Sequence, residues 1–195
     1  MKSLAIVLLA IVAIGADVAF AQPSADAKAR GRFTFYGRGA RSAMRAARES
    51  AGSFREYVYS TQPEPARIAR TQPGVPDGVV SAPSGVVEVS PRIVQSAVDE
   101  IGEYITKSER HLGWMRRQAE AIQDGESLAA LDTIGMHLAA AKRNHDVLCG
   151  CCLEDSVDSA AVVACCQTID EALAEAISEH DALMRRLGEK PPITK

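Results

Sequence analysis

The sequence predicts an all-α fold, an antiparallel three-helix bundle preceded by a largely disordered N-terminal region. Between residues 92 and 188 there is no proline, and apolar side chains recur at three- and four-residue steps over three long stretches. The breaks between these stretches are short, which implies that consecutive helices are antiparallel neighbours. By contrast, residues 22–91 hold seven of the nine prolines and seven of the fourteen glycines, which interrupt regular structure.

The first twenty-one residues have the pattern of a secretory signal peptide. Lys2 supplies a positive charge, residues 4–14 are an apolar run, and Ala19-Phe20-Ala21 has the small-x-small pattern of a cleavage site. The apolar run is shorter than the roughly 20 residues that a bilayer-spanning helix needs. We therefore expect cleavage after Ala21 and export to the periplasm or the medium, where disulfides can persist.

Residues 22–91 are predicted to form a basic, mostly disordered arm. Residues 22–70 carry ten basic and four acidic side chains, a net charge of +6. A basic amphipathic helix is predicted within the arm over 40–59. It would either lie on an anionic surface or fluctuate in a flexible tail. The apolar stripe of this helix consists of Met44, Ala47, Ala51, Phe54 and Val58.

Three partners for the arm follow from its charge. Arginines mixed with aromatics over 30–41 would favour single-stranded nucleic acid in a cytosolic protein, but the signal peptide argues against nucleic acid. Anionic envelope polymers or lipid headgroups are the expected partners. Because residues 92–188 carry nine basic and seventeen acidic side chains, a net charge of −8, the arm could instead fold back on its own bundle.

The bundle domain is predicted over residues 92–188, with helices at about 91–123, 126–149 and 156–187 and a C-terminal tail at 189–195. Pro91 suits a first helical turn, and Gly188 suits a helix end. The helix at 91–123 is long enough to mediate a homodimer. Its Trp114 falls outside the apolar face, so it either contacts the N-terminal arm or a second subunit, or it covers the surface of its own helix.

All five cysteines fall between residues 149 and 166, close to a histidine. If the second helix continues past residue 149, His145, Cys149 and Cys152 share one face at positions i, i+4 and i+7. Cys165 or Cys166 would add a further thiolate from the facing helix. Imidazole and thiolate are the ligands that Cu(I) and Zn(II) prefer, so this set predicts a Cu or Zn site.

A disulfide staple is the alternative use of the same cysteines. Pairing the helices about a turn near Leu153 places Cys165 level with Ala141, about 12 Å along the axis from Cys149. Loop cysteines would then reach the third helix more easily than Cys149 would. In an exported protein such pairs form disulfides, and the odd count leaves one thiol over. The disulfide candidates are Cys151, Cys152, Cys165 and Cys166.

The remaining histidines are weaker metal candidates. His111 and His137 are each thirteen residues from the turn at Asp124, so they can meet at a groove. His180 is central on the inner face of its helix, which is typical of a hydrogen-bonded core histidine. No G-x-S-x-G, Walker A, H-E-x-x-H or C-x-x-C-H motif is present in the sequence.

Two functions follow from these observations. We expect an exported, non-enzymatic helical protein that binds a soft transition-metal ion through its His/Cys cluster. The alternative is a disulfide-stapled structural or interaction protein of the cell envelope, whose basic arm binds anionic surfaces. A thiol-based redox protein is a third interpretation, and it depends on the odd cysteine count alone.

Overall fold

The structure, a computed structural model of the 195-residue chain, describes residues 24–61, 86–152 and 156–188. Four long helices dominate it, and two short strands pair at one end of the bundle. The elements are α1 (Ala25–Ser60), β1 (Val86–Glu88), α2 (Pro91–Ala121), α3 (Gly125–Cys151), β2 (Ser156–Asp158) and α4 (Ser159–Arg186). The all-α class is confirmed, but the prediction of three helices is wrong because α1 is a fourth.

Helix α1 accounts for most of the difference from the sequence prediction. The disordered arm over 22–91 was expected to contain at most a helix at 40–59, whereas α1 begins at Ala25 and is 36 residues long. Ser24 caps it by accepting a hydrogen bond from the Ala27 N–H at 3.1 Å. The stripe predicted from Met44 to Val58 is buried, and it extends toward the N-terminus through Phe33 and Ala40.

The four helices form a ring in which each helix packs against two others. α1 lies between α2 and α4, and α3 completes the ring by packing against the same two helices. Two ion pairs show the relative direction of α1 and α4. Arg41 pairs with Asp181, and Arg48, which is later in α1, pairs with Asp170, which is earlier in α4. These two helices therefore run in opposite directions.

Local sequence explains where the other helices begin and end. Pro91 occupies the first turn of α2, where its missing N–H costs nothing. Asp124 caps α3 by accepting from the Ser127 N–H at 3.0 Å, and Asp158 caps α4 by accepting from the Ala160 N–H at 2.9 Å. Gly188 follows α4 with φ +81°, a left-handed conformation that favours glycine.

A two-stranded antiparallel ribbon joins the starts of α2 and α4. Val87 of β1 is opposite Val157 of β2, and Val157 is fully buried. Because β1 leads into α2 and β2 leads into α4, the ribbon fixes these two helix starts at the same end of the bundle.

Four predictions concern parts of the chain beyond this description or untested by it. The signal peptide at 1–21 and the tail at 189–195 lie outside the described residues, as does the arm between 62 and 85. A homodimer through α2 stays a prediction. Among the residues that the structure describes, no helix has the length and apolar character needed to cross a bilayer.

Candidate functional site

The cysteines lie at one end of the bundle, which we call the cysteine end. α3 ends there at Cys151, and α4 begins there at Ser159, directly after the ribbon. Cys165 and Cys166 are buried and the other three cysteines are half-buried, and all five are free thiols. We call these five side chains the cysteine cluster: Cys149, Cys151, Cys152, Cys165 and Cys166.

Thiols of the cluster lie near one another across the two helices. Cys151 and Cys165 are close enough for Cys151 to raise the pKa of Cys165, after the larger effect of burial. Cys152 is close enough to Cys151, Cys149 and Cys165 for their charges to affect its pKa, and Cys166 is in the same relation to Cys165 and Cys152. Helices α3 and α4 therefore bring together the cysteines that the sequence singles out.

The expected axial offset between Cys149 and Cys165 is wrong. The prediction placed Cys165 level with Ala141, whereas its thiol lies beside Cys151. The reason is that α4 begins at Ser159 rather than at 156, after the extended residues of β2. Extended chain advances about 3.3 Å per residue against about 1.5 Å in a helix, so α4 starts well beyond the end of α3.

Burial raises the pKa of four thiols in the cluster, those of Cys149, Cys152, Cys165 and Cys166. It raises the pKa of Cys152 and of Cys166 to about 12, and neighbouring cysteines add to the effect. The pKa of Cys149 is also raised, first by burial and then by Asp146 and Asp99. Thiols are weak nucleophiles compared with thiolates, so this environment disfavours thiol catalysis, and a bound metal ion would have to displace protons.

His145 connects the cluster to α2. Its Nε2 is 2.9 Å from the carbonyl oxygen of Val98, so Nε2 carries the proton and Nδ1 keeps its lone pair. The ring fits beside Gly102, where an added Cβ would lie 2.6 Å from the ring carbon Cε1. A glycine on α2 is therefore required for this position of the imidazole.

The distance between His145 and Cys149 suits a shared metal ion. The Cys149 Sγ is 3.8 Å from Nδ1 and 3.7 Å from Nε2. Metal–nitrogen bonds of about 2.0 Å and metal–sulfur bonds of about 2.3 Å give nitrogen–sulfur separations of about 3.5 to 3.8 Å at tetrahedral to trigonal angles. Because the sulfur is equally far from both nitrogens, the ring must rotate about its Cβ–Cγ bond to direct Nδ1 at such an ion.

The structure gives His111 and His180 other surroundings. His111 lies beside α1, where a Cβ at Gly39 would be 2.5 Å from its Cε1, and its ring packs edge-to-face on Trp114. Trp114 in turn packs on Tyr36 of α1 with ring centroids 5.0 Å apart, which confirms the predicted contact with the N-terminal region. His111 therefore packs against α1, and its predicted meeting with His137 stays a prediction.

A buried polar cluster that sequence reasoning missed lies between α1 and α4. Arg41 donates two hydrogen bonds to Asp181, at 2.5 Å from Nε and 2.7 Å from Nη2. Asp181 also lies 3.5 Å from Nδ1 of His180, a residue only 1% exposed. The Nε2 of His180 approaches the Gly37 backbone without hydrogen-bond geometry. The only sequence signal for this cluster was the opposite net charge of residues 22–70 and residues 92–188.

An open groove of about 770 Å³ runs along α2 and α3 and reaches His145. Its walls carry acidic side chains beside His145 and basic side chains farther along. The acidic residues are Asp99, Glu103 and Asp146, and the basic ones are Lys107, Arg110 and Lys142.

Within the described ranges, no three side chains of His, Cys, Asp or Glu are preformed as a metal site. The predicted set of His145, Cys149, Cys152 and Cys165 or Cys166 therefore needs rotamer changes before it could surround an ion. Comparison with protein-family models, with curated proteins and with solved structures finds no match to this chain.

Proposed function

We propose that this chain is an exported helical-bundle protein that binds a soft metal ion, Cu(I) or Zn(II), at the cysteine end. The observation that carries the proposal is the gathering of five thiols and one imidazole where α3 ends and α4 begins. Soft thiolates with an imidazole are the ligand types that select these two ions. Such a site would also hold α3 and α4 together, because binding free energy adds to folding free energy.

The ligands that we propose come from both helices. His145 and Cys149 are one turn apart on α3, with Sγ and Nδ1 separated by 3.8 Å. Cys152 follows at the end of α3, and Cys165 or Cys166 completes the set from α4. The changes needed are rotations of cysteine side chains between staggered rotamers and of the His145 ring about its Cβ–Cγ bond.

A metal titration of the full chain tests this proposal. The reduced chain, kept under anaerobic conditions, is titrated with Co(II) as a spectroscopic substitute for Zn(II) and separately with Cu(I) buffered by bicinchoninate. We expect thiolate-to-metal charge-transfer absorption that saturates at a fixed stoichiometry. The double variant Cys149→Ser/Cys165→Ser should lose most of this absorption, because it removes one thiolate from each helix.

Two matched variants control for the loss of any sulfur or any imidazole. Met136 is an exposed sulfur-containing side chain on α3, so Met136→Ser should leave the absorption unchanged. His137→Ala should also leave it unchanged, whereas His145→Ala should weaken binding by about 10- to 100-fold, the usual effect of a lost ligand or its support. A reduced wild-type chain that shows no charge-transfer absorption with either ion would refute the proposal.

A disulfide-stapled structural protein of the cell envelope is the second candidate, favoured by the proximity of Cys151 to Cys165. In this alternative the basic N-terminal region would bind an anionic surface. Intact mass of the exported chain without reductant separates the two candidates and also tests cleavage after Ala21. A mass lower by four hydrogens, with one thiol left to alkylate, favours the disulfide protein. Five alkylatable thiols with retained Cu or Zn favour the metal protein.

A further inference from the structure

The groove along α2 and α3 leads directly to the proposed metal ligands. His145 forms part of its wall, and Cys149 lies one helical turn beyond His145. The groove is open to solvent, so an ion in it would not have to pass through the packed core. On the other side of the cluster, the buried Cys165 and Cys166 face the interior of the bundle.

Negative charge is concentrated at the end of the groove nearest the cluster. Asp99 and Glu103 of α2 are exposed there, and the Asp146 side chain of α3 is 71% exposed. Asp146 and Asp99 are also close enough to Cys149 to add to the effect of burial on its pKa. The basic residues are farther along the groove, and one of them, Lys142, is paired with Glu109 at 3.2 Å.

We infer that the acidic end of this groove is the route by which a metal cation reaches the cysteine cluster, and that His145 is the first protein ligand to bind the ion. The inference rests on the proposed function and adds to it a direction of uptake. It applies to an aqueous cation such as Zn(II), whose charge the carboxylates attract.

Electrostatic attraction would raise the rate at which the cation arrives. The three carboxylates at the acidic end of the groove raise the local concentration of cations there. Exposed carboxylates bind a hydrated cation weakly, so the ion can leave them for a better ligand. The next ligand along the groove is His145, whose Nε2 is bonded to the Val98 carbonyl and whose Nδ1 lies 3.8 Å from the Cys149 sulfur.

Transfer from water to the cluster balances in simple steps. The bond between the ion and a water molecule breaks as the bond to Nδ1 of His145 forms. A bond to the Cys149 sulfur then forms as its thiol proton leaves to solvent, and each later thiol releases one proton in the same way. The oxidation state of the ion does not change.

Two features of α2 set the position of the His145 ring. The Val98 carbonyl accepts a hydrogen bond from Nε2–H, and this leaves the lone pair on Nδ1 for the ion. Gly102 provides the space for the ring, because an added Cβ would be 2.6 Å from Cε1 and 2.8 Å from Nε2. An alanine at this position would push the imidazole away from both Val98 and Cys149.

Stopped-flow mixing of the reduced full chain with Co(II) tests the route. The variant Asp99→Asn/Asp146→Asn should bind about 5- to 10-fold more slowly at low salt, and the difference should vanish at high salt because charges are then screened. The control Glu120→Gln/Glu175→Gln removes the same charge from exposed positions outside the groove, and it should bind at the wild-type rate.

A second pair of variants tests His145 as the first ligand. Gly102→Ala should slow binding, whereas Gly113→Ala on the same helix has open space around it and should not. If Asp99→Asn/Asp146→Asn and Glu120→Gln/Glu175→Gln slow binding equally, only the net charge of the chain matters, and the route is overturned. Wild-type rates for the Asn pair or for Gly102→Ala would overturn it too, while the equilibrium titration still supports metal binding. Failure of wild-type binding at equilibrium refutes the proposed function itself.

Discussion

The cysteine end and the Arg41–Asp181–His180 cluster both place polar side chains away from solvent. They differ in whether those side chains have strong hydrogen-bonding partners within the chain. Arg41 and Asp181 satisfy each other through two hydrogen bonds. The thiols of the cysteine cluster are weak hydrogen-bonding groups, and their neighbours are chiefly other thiols. A buried polar group with a strong partner supplied by the chain is explained by the fold. Thiols whose neighbours are chiefly other thiols have no strong partner in the chain, so they are better candidates for binding an external ligand.

Distance separates the two regions. His180 is fifteen residues beyond Cys165 on α4, which corresponds to about 22 Å along the helix. Substitutions so far apart usually act additively on stability. Each region can therefore be perturbed while the other serves as an internal control.

The largest effect is expected from breaking the buried ion pair. Arg41→Ala leaves Asp181, whose side chain is only 17% exposed, without its partner, so we expect the free energy of unfolding to fall by about 3 kcal/mol. Arg48→Ala also breaks a pair between α1 and α4, but Arg48 is 46% exposed and the loss should stay below about 1 kcal/mol. Urea unfolding measures both values, and equal losses would contradict the difference in burial.

A smaller effect is expected from filling the space beside His111. The Cβ of Gly39→Ala would lie 2.5 Å from Cε1 of His111, so the ring must move and we expect a loss of about 1 to 3 kcal/mol. Gly52→Ala on the same helix meets no atom within 4 Å and should stabilise the chain by about 0.5 to 1 kcal/mol. Thermal unfolding compares the two variants. A gain in stability from Gly39→Ala would show that α1 does not pack closely on α2.

The smallest effect is a dependence of stability on pH. Burial lowers the pKa of His180 below its ordinary value of 6.5, so the folded chain keeps this imidazole neutral. As pH falls below about 6.5 the unfolded chain takes up a proton that the folded chain does not, and stability falls by at most about 1.4 kcal/mol per pH unit for this group. Burial lowers the pKa of His111 too, and Lys107 and Arg110 add to the shift, which has the same sign.

Replacing His180 measures its share of this dependence. His180→Gln should flatten the curve of stability against pH between 5 and 7. Asp181 contributes at lower pH: burial opposes its ionisation, but the hydrogen bonds from Arg41 prevail and its pKa is lowered. Its stabilisation is therefore lost as pH falls below the ordinary carboxylate pKa. An unchanged slope in His180→Gln would mean that His180 takes up its proton equally readily in the folded and the unfolded chain.

Several elements could be predicted because their causes are local. The helices predicted at 91–123, 126–149 and 156–187 agree with α2, α3 and α4 within a few residues, since apolar periodicity, Pro91 and Gly188 act over one or two turns. The apolar stripe from Met44 to Val58 was also visible. The packing of this stripe into the bundle could not be predicted from the sequence. Helix α1 is rich in glycine and arginine, so its stability depends on contacts with residues far away in the sequence.

The candidate site was predicted in part for a related reason. The i, i+4 spacing of His145 and Cys149 follows from helix geometry, so sequence alone placed them on one face. The proximity of Cys151 to Cys165 depends on how far the chain advances between α3 and α4, which β2 decides by pairing with β1. That pairing joins residues about seventy positions apart, and no local pattern encodes it.

The sequence by itself determined the all-α class, the three C-terminal helices and the gathering of cysteines near one helix end, because periodicity and spacing are local properties. Only the tertiary structure decided that α1 completes the bundle, that Arg41 and Asp181 pair in its interior, and that a groove leads to His145. Each of these depends on which faces of distant helices meet. Three factors decide which helix faces meet. They are the apolar area that is buried, the pairing of Arg41 with Asp181, and the space beside Gly37, Gly39 and Gly102.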